Sequence, residues 1–191
     1  MEMKLTKVRL AFPALFTAKK VGDSGEAKFG ATFVLPPDHP QLPLIRETIK
    51  KVAVEKWKDE GTLILKELAA KDRIALHDGE TKARFDGFPG NLFISARTDK
   101  RPMVLRGNKT PATQADGDIY AGCYVNAIID IYPQDSQQYG KRINASLVGV
   151  MFHSDAPAFG GSRTAELSDF DDFEVGETST TPASGEASPW D

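Results

Sequence analysis

The residues of this chain whose types and spacing suggest chemistry are aromatics and cations on the non-core faces of alternating segments. Tyr120 and Tyr124 fall on one side of a long alternating run, about 13 Å apart at strand rise, with Gly122 leaving open backbone between them. In a second run, Leu92, Ile94 and Ala96 point inward, so Phe93 and Arg97 are expected to point out. Lys7, Arg9 and Arg142 occupy polar strand faces, and the loop after Thr98 adds Lys100, Arg101, Arg106 and Lys109. The chemistry such a set supports is non-covalent. Exposed aromatic faces stack unpaired bases, and cations alongside follow the phosphates of a single strand.

The elements that must position these residues are mainly strands. Lys4 to Phe12 alternates, with Val8, Leu10 and Phe12 on one face and Lys7 and Arg9 on the other; Ala27 to Leu35 alternates through Phe29, Ala31, Phe33 and Leu35. Ile45, Ile49, Val52, Ala53 and Trp57 then fall on a helical stripe that Gly61 is placed to end, and a second short helix is expected over 62–71. Strands follow over 91–98, 119–132 and 142–152. In the middle one Ile119, Ala121, Cys123, Val125, Ala127, Ile129 and Ile131 make an unbroken apolar face. Five or so strands, a helical insertion at about 41–71 and turns marked by Gly, Pro or Asp predict a small, strongly bent sheet, a partly open barrel or a sandwich.

Charge divides the chain in two. All 24 Lys and Arg lie at or before Arg163, where 19 acidic residues leave a net of +5, while the remaining eight of the 27 acids give 164–191 a net of −8. Residues 1–163 are expected to form one domain. The Ser-, Thr-, Pro- and Glu-rich remainder has too few large apolar groups to offset its ordering entropy and is expected to be a disordered acidic tail. Phe170 and Phe173, flanking Asp171 and Asp172, and Trp190 beside Asp191 suggest partner-binding islands within it. No apolar run is long enough to span a membrane, and the first residues do not read as a signal peptide, so a reducing cytoplasm is the expected compartment.

Enzymatic readings find less support. His39, His77 and His153 are not at metal-ligand spacing, Cys123 falls on an apolar strand face, and no phosphate-binding glycine loop or serine elbow is present. No cofactor and no resident metal are expected. Asp116, Asp118 and Asp130 keep open a metal-dependent nuclease or recombination enzyme, and a structural or scaffolding protein is a second alternative.

Four segments in order, Val8-Arg9-Leu10-Ala11-Phe12-Pro13-Ala14-Leu15-Phe16, Lys28-Phe29-Gly30-Ala31-Thr32-Phe33-Val34-Leu35-Pro36, Ile119-Tyr120-Ala121-Gly122-Cys123-Tyr124-Val125-Asn126-Ala127 and Ala158-Phe159-Gly160-Gly161-Ser162-Arg163, resemble a tailed-phage and prophage family of OB-fold single-stranded DNA-binding proteins. The resemblance implies an OB-fold barrel with long additions, DNA held across the sheet face and its loops, and a part in phage replication or recombination. The acidic, aromatic-ended tail is similar in kind to the C-termini by which bacterial and other phage single-strand binders recruit replication and repair proteins. It differs in detail, since Asp191 follows Trp190. The expected function is therefore non-catalytic coating of single-stranded DNA with little sequence preference, by a protein that can also self-associate.

Overall fold

The computed structural model describes residues 1–20 and 25–160. Strands β1 (Glu2–Lys19), β2 (Lys28–Leu35), β4 (Leu92–Thr98), β6 (Tyr124–Ser136) and β7 (Gly140–Ser154) form a ring, because β1 pairs antiparallel with both β2 and β6, β2 with β4, β6 with β7, and β4 closes parallel onto β7 through Ala96–Ala145 and Arg97–Ser146. Short strands β3 (Leu76–Asp78) and β5 (Met103–Leu105) extend the two edges. This connectivity is that of a closed five-stranded OB barrel.

The barrel core follows from the alternation. Leu5, Val8, Leu10 and Leu15 of β1, Phe33 and Leu35 of β2, Ile94 and Ala96 of β4, and Val125, Ala127, Ile129 and Ile131 of β6 are buried together. Each large aliphatic side chain contributes about 1.5–3 kcal/mol through the water it leaves. Cys123 is buried with them, and its burial raises its thiol pKa.

Two helices lie between β2 and β3. Helix α1 (Leu42–Trp57) buries Leu42, Ile45, Ile49, Val52 and Ala53 on one stripe, and α2 (Gly61–Ala70) buries Ile64 and Leu68. Gly61 does not end α1. The left-handed break is at Lys58, with φ 52°, while Gly61 opens α2 at φ −53°. Its role is close approach, since a Cβ there would stand 2.6 Å from Val54 Cα. Among the described residues no helix is long and apolar enough to cross a membrane.

Departures from regular alternation matter most for the surface. In β1 the register with β6 shifts between Leu5 and Val8, and the register with β2 shifts between Ala11 and Ala14. At these bulges Lys7 and Phe12 take left-handed conformations, with φ 53° and 47°. A bulge reverses which face the next side chain meets. Phe12, expected inside with Val8 and Leu10, accordingly points out and is 46% exposed. The strand expected from Ile119 begins only at Tyr124, because Gly122 turns the chain at φ 109°. The Gly122 amide donates to Leu10 O, and a Cβ on Gly122 would meet Pro157 O at 2.5 Å, so the glycine also seats the segment after β7.

Candidate nucleic-acid interface

A cleft crosses β2 and β4. It has two lobes of about 470 and 510 Å³ that share Lys28, Ser95 and Arg97. The first lobe is bounded by Lys19, Lys20, Lys82, Phe12, Phe29 and Phe85, and the second by Arg73, Arg142, His77 and Tyr132. Three acids are present at its edges: Asp99 pairs with Lys28 at 3.0 Å, Asp72 meets His77 Nδ1 at 2.7 Å, and Glu26 borders the first lobe. The hydrogen bond and charge of Asp99 raise the Lys28 pKa.

The aromatic part of the cleft is a layered cluster. Phe12 meets Phe85 edge-on at 4.9 Å and Phe88 face-on at 5.6 Å, while Phe88 and Phe93 close the layer beneath at 5.3 Å. Lys82 Nζ lies 5.4, 5.6 and 4.6 Å from the ring centroids of Phe12, Phe88 and Phe93. Desolvation by burial, and then the charge of Arg97, lower its pKa. Among the described residues Lys82 has no ion-pair partner. Cation–π contact thus takes the place of a carboxylate and leaves the positive charge available to an incoming anion.

The residues singled out from sequence fall into three groups. Arg97 and Arg142 line the cleft. Lys7, Arg9 and Tyr124 are brought together on another groove of about 500 Å³: Lys7 Nζ stands 5.6 Å and Arg9 Cζ 5.4 Å from the Tyr124 ring, and Arg9 also covers Phe159 at 4.4 Å. The Arg9 guanidinium donates to the carbonyls of Gly122 and, at 2.7 Å, Pro157.

Of the remaining expectations, those for Phe93, Tyr120 and Arg106 need correction. Phe93 is 3% exposed, because the outward face of β4 is covered at this end: the segment over 79–90 folds across it, and Phe93 packs against Phe88 and stacks on His77 at 5.0 Å. Tyr120 is not on β6, and its ring packs against the core. Its hydroxyl lies 3.0 Å from Asp155 Oδ1 and 2.9 Å from Ala156 O, so it forms no stacking pair with Tyr124. Burial raises its pKa. Arg106 is held by Asp118 at 2.6 Å and Asp116 at 3.8 Å; Lys100, Arg101 and Lys109 are exposed but border neither cleft nor groove.

The same ion pairs engage two of the carboxylates that a nuclease would need, Asp116 and Asp118, on one guanidinium. Asp116 caps the 3₁₀ turn Gln114–Asp116, and hydrogen bonds from the Thr113 amide and hydroxyl lower its pKa, while Asp130 takes the Met1 ammonium at 2.6 Å. Among the described residues no three His, Cys, Asp or Glu side chains are placed to hold a metal ion. Phe170, Asp171, Asp172, Phe173, Trp190 and Asp191 lie outside the described residues, as does the expected tail disorder.

Phe12, Lys28, Arg73, Lys82, Phe85, Tyr132 and Phe159 were not singled out. Three of these had a signal: Pro13 inside a strand marks a bulge beside Phe12, and Lys82-Ala83-Arg84-Phe85 interleaves the cation Lys82 with the aromatic Phe85. Lys28 and Tyr132 had none beyond strand parity.

Fold and site together define an OB-fold barrel carrying a cationic, aromatic cleft across its sheet. The chain belongs to the family described as Enterobacter phage Enc34, ssDNA-binding protein, whose model matches residues 1–180. A relative from Acyrthosiphon pisum secondary endosymbiont phage 1, putative protein p50, is 41% identical over 180 residues, covering 93% of this chain and 96% of the relative. The single-stranded DNA-binding protein of bacteriophage Enc34, solved in complex with ssDNA, superposes with a TM-score of 0.70 at 29% identity over 83% of this chain and 89% of its own. The single-stranded DNA-binding protein encoded by bacteriophage T7, at 14% identity, 96% and 100% coverage and a TM-score of 0.53, shares the fold.

Proposed function

We propose that this protein binds single-stranded DNA without catalysis, holding it in the cleft across β2 and β4 with little sequence preference. The observation that carries the reading is the joining of unpaired cation and exposed ring: Lys82 and Arg97 stand beside Phe12 and Phe85. Phosphates would meet Lys82, Arg97 and Arg142, and bases would stack on Phe12 and Phe85. Every base presents a π-face, so such stacking discriminates little between sequences while favouring unpaired strands. Membership of the Enc34 family and the ssDNA-bound relative support the same reading.

In this account the protein coats single strands exposed during phage replication or recombination in the host cytoplasm. Its acidic tail weakens binding to the basic surface, and Phe170, Phe173 and Trp190 recruit replication or recombination proteins. The charge division supports this role, since every Lys and Arg precedes the tail. Titration of a labelled single strand and its duplex at several salt concentrations tests the function. The single strand should bind more tightly, with log K falling linearly in log salt. Equal or tighter duplex binding defeats the reading.

A further inference from the structure

We infer that the single strand does not end at the β2/β4 cleft but continues over the Phe12–Phe85 ridge into a second subsite formed by Lys7, Arg9, Tyr124 and Phe159. This inference rests on the proposed single-strand binding and extends it to a surface on another side of the barrel. Continuity is the first support. A small apolar saddle of about 190 Å³ shares Phe12 and Phe85 with the cleft and Phe159 with the groove that holds Lys7, Arg9 and Tyr124. The one acid on the saddle, Asp86, accepts from the Gly160 amide at 2.9 Å.

The second support is how β1 is built. Of the register shifts along it, two carry a left-handed residue, and each of those residues faces a groove: Phe12 at the saddle and Lys7 at the far groove. A left-handed conformation costs a non-glycine residue energy, which marks these positions as candidates for a functional role. The Lys7 bulge is held by the Asn126 side chain, which accepts from the Lys7 amide at 2.9 Å.

The third support is the chemistry of the groove. Arg9 is anchored through its N–H edge to two backbone carbonyls, which fixes its guanidinium beside the rings of Tyr124 and Phe159. Among the described residues neither Lys7 nor Arg9 forms an ion pair. A fixed guanidinium plane between two aromatic rings, with an unpaired ammonium beside it, suits an unpaired nucleotide. From Arg9 to Lys19, β1 spans about 30 Å at strand rise. At roughly two nucleotides per 13 Å of extended strand, that length holds about five nucleotides, which together with the cleft stays within the roughly 4–16 known per OB fold.

The test compares oligonucleotides of about 4 and about 16 nucleotides, lengths at either end of that range, on the full chain, wild type against Lys7→Asn/Tyr124→Ala. Asn tolerates the left-handed backbone, so the bulge is kept while the charge is removed; thermal unfolding checks the fold. The variant should bind the short strand as the wild type does, and the long strand about ten-fold more weakly, with a salt slope shallower by about one. Lys7→Asn alone, which leaves the aromatic rings in place, should reproduce the shallower slope. Wild-type affinity of the double variant for the long strand overturns the extension and leaves the cleft reading standing. An equal loss on both lengths also overturns it. A wild-type protein that binds neither length overturns both.

Discussion

The ammonium of Lys82 lies 5.4 Å from the ring centroid of Phe12, a phenylalanine that a bulge has turned out of the core. The pair sets a half-desolvated cation beside an exposed stacking face. It also makes the cleft sensitive to pH, because burial, with Arg97 second, lowers the Lys82 pKa. Between that lowered value and the ordinary 10.5 the unfolded chain holds more protons than the native one, so this site's contribution to stability rises with pH there. DNA affinity should move the other way. A phosphate favours the ammonium, so affinity for a deoxyadenosine oligonucleotide, whose bases do not titrate in this range, should fall as pH rises through the window. Lys82→Arg should flatten the profile, and anisotropy titrations across it check both.

Phe12 and Phe93 should separate binding from folding. Phe12→Ala removes a ring that is 46% exposed and should cost about 1–3 kcal/mol of single-strand affinity with little loss of stability. Phe93→Ala empties a buried site and should cost about 3–5 kcal/mol of stability. Urea unfolding alongside oligonucleotide titration distinguishes the two.

Arg97 and Arg106 make a second contrast. Arg97→Ala should weaken binding across sequences alike and lower the salt slope by about one. Arg106 is occupied by Asp118 and Asp116, so Arg106→Ala should leave both affinity and slope near wild type.

Truncation after Arg163 removes eight acidic residues and no basic one. Single-strand binding should tighten at low salt, with the gain fading as salt rises and screening shortens the reach of the tail's charge. Unchanged affinity at low salt would leave the tail as a recruitment element alone.

The barrel was largely legible in the sequence because its signal is parity. Val125, Ala127, Ile129 and Ile131 alternate without interruption and are buried as a face, and Ile45, Ile49 and Val52 give the helix of the insertion by the same logic. The site was less legible, because parity fails at bulges and says nothing of what covers the outer face. Phe12 kept the parity of Val8 and Leu10 yet points out. Phe93 kept the outward parity but lies beneath Phe88, which comes from a segment with no periodicity to read. Tyr120 was placed on β6 although Gly122 breaks the strand before it starts. Arg97 and Arg142 were found because both sit on regular stretches, where inside and outside follow from spacing alone.

The path of the strand across the cleft is the central claim, and photo-crosslinking tests it most directly. An oligonucleotide carrying 5-iodouracil, irradiated in complex with the full chain and mapped by peptide mass, should form its adducts at Phe12 or Phe85. Adducts confined to the loop that holds Lys100, Arg101 and Lys109 would contradict the account.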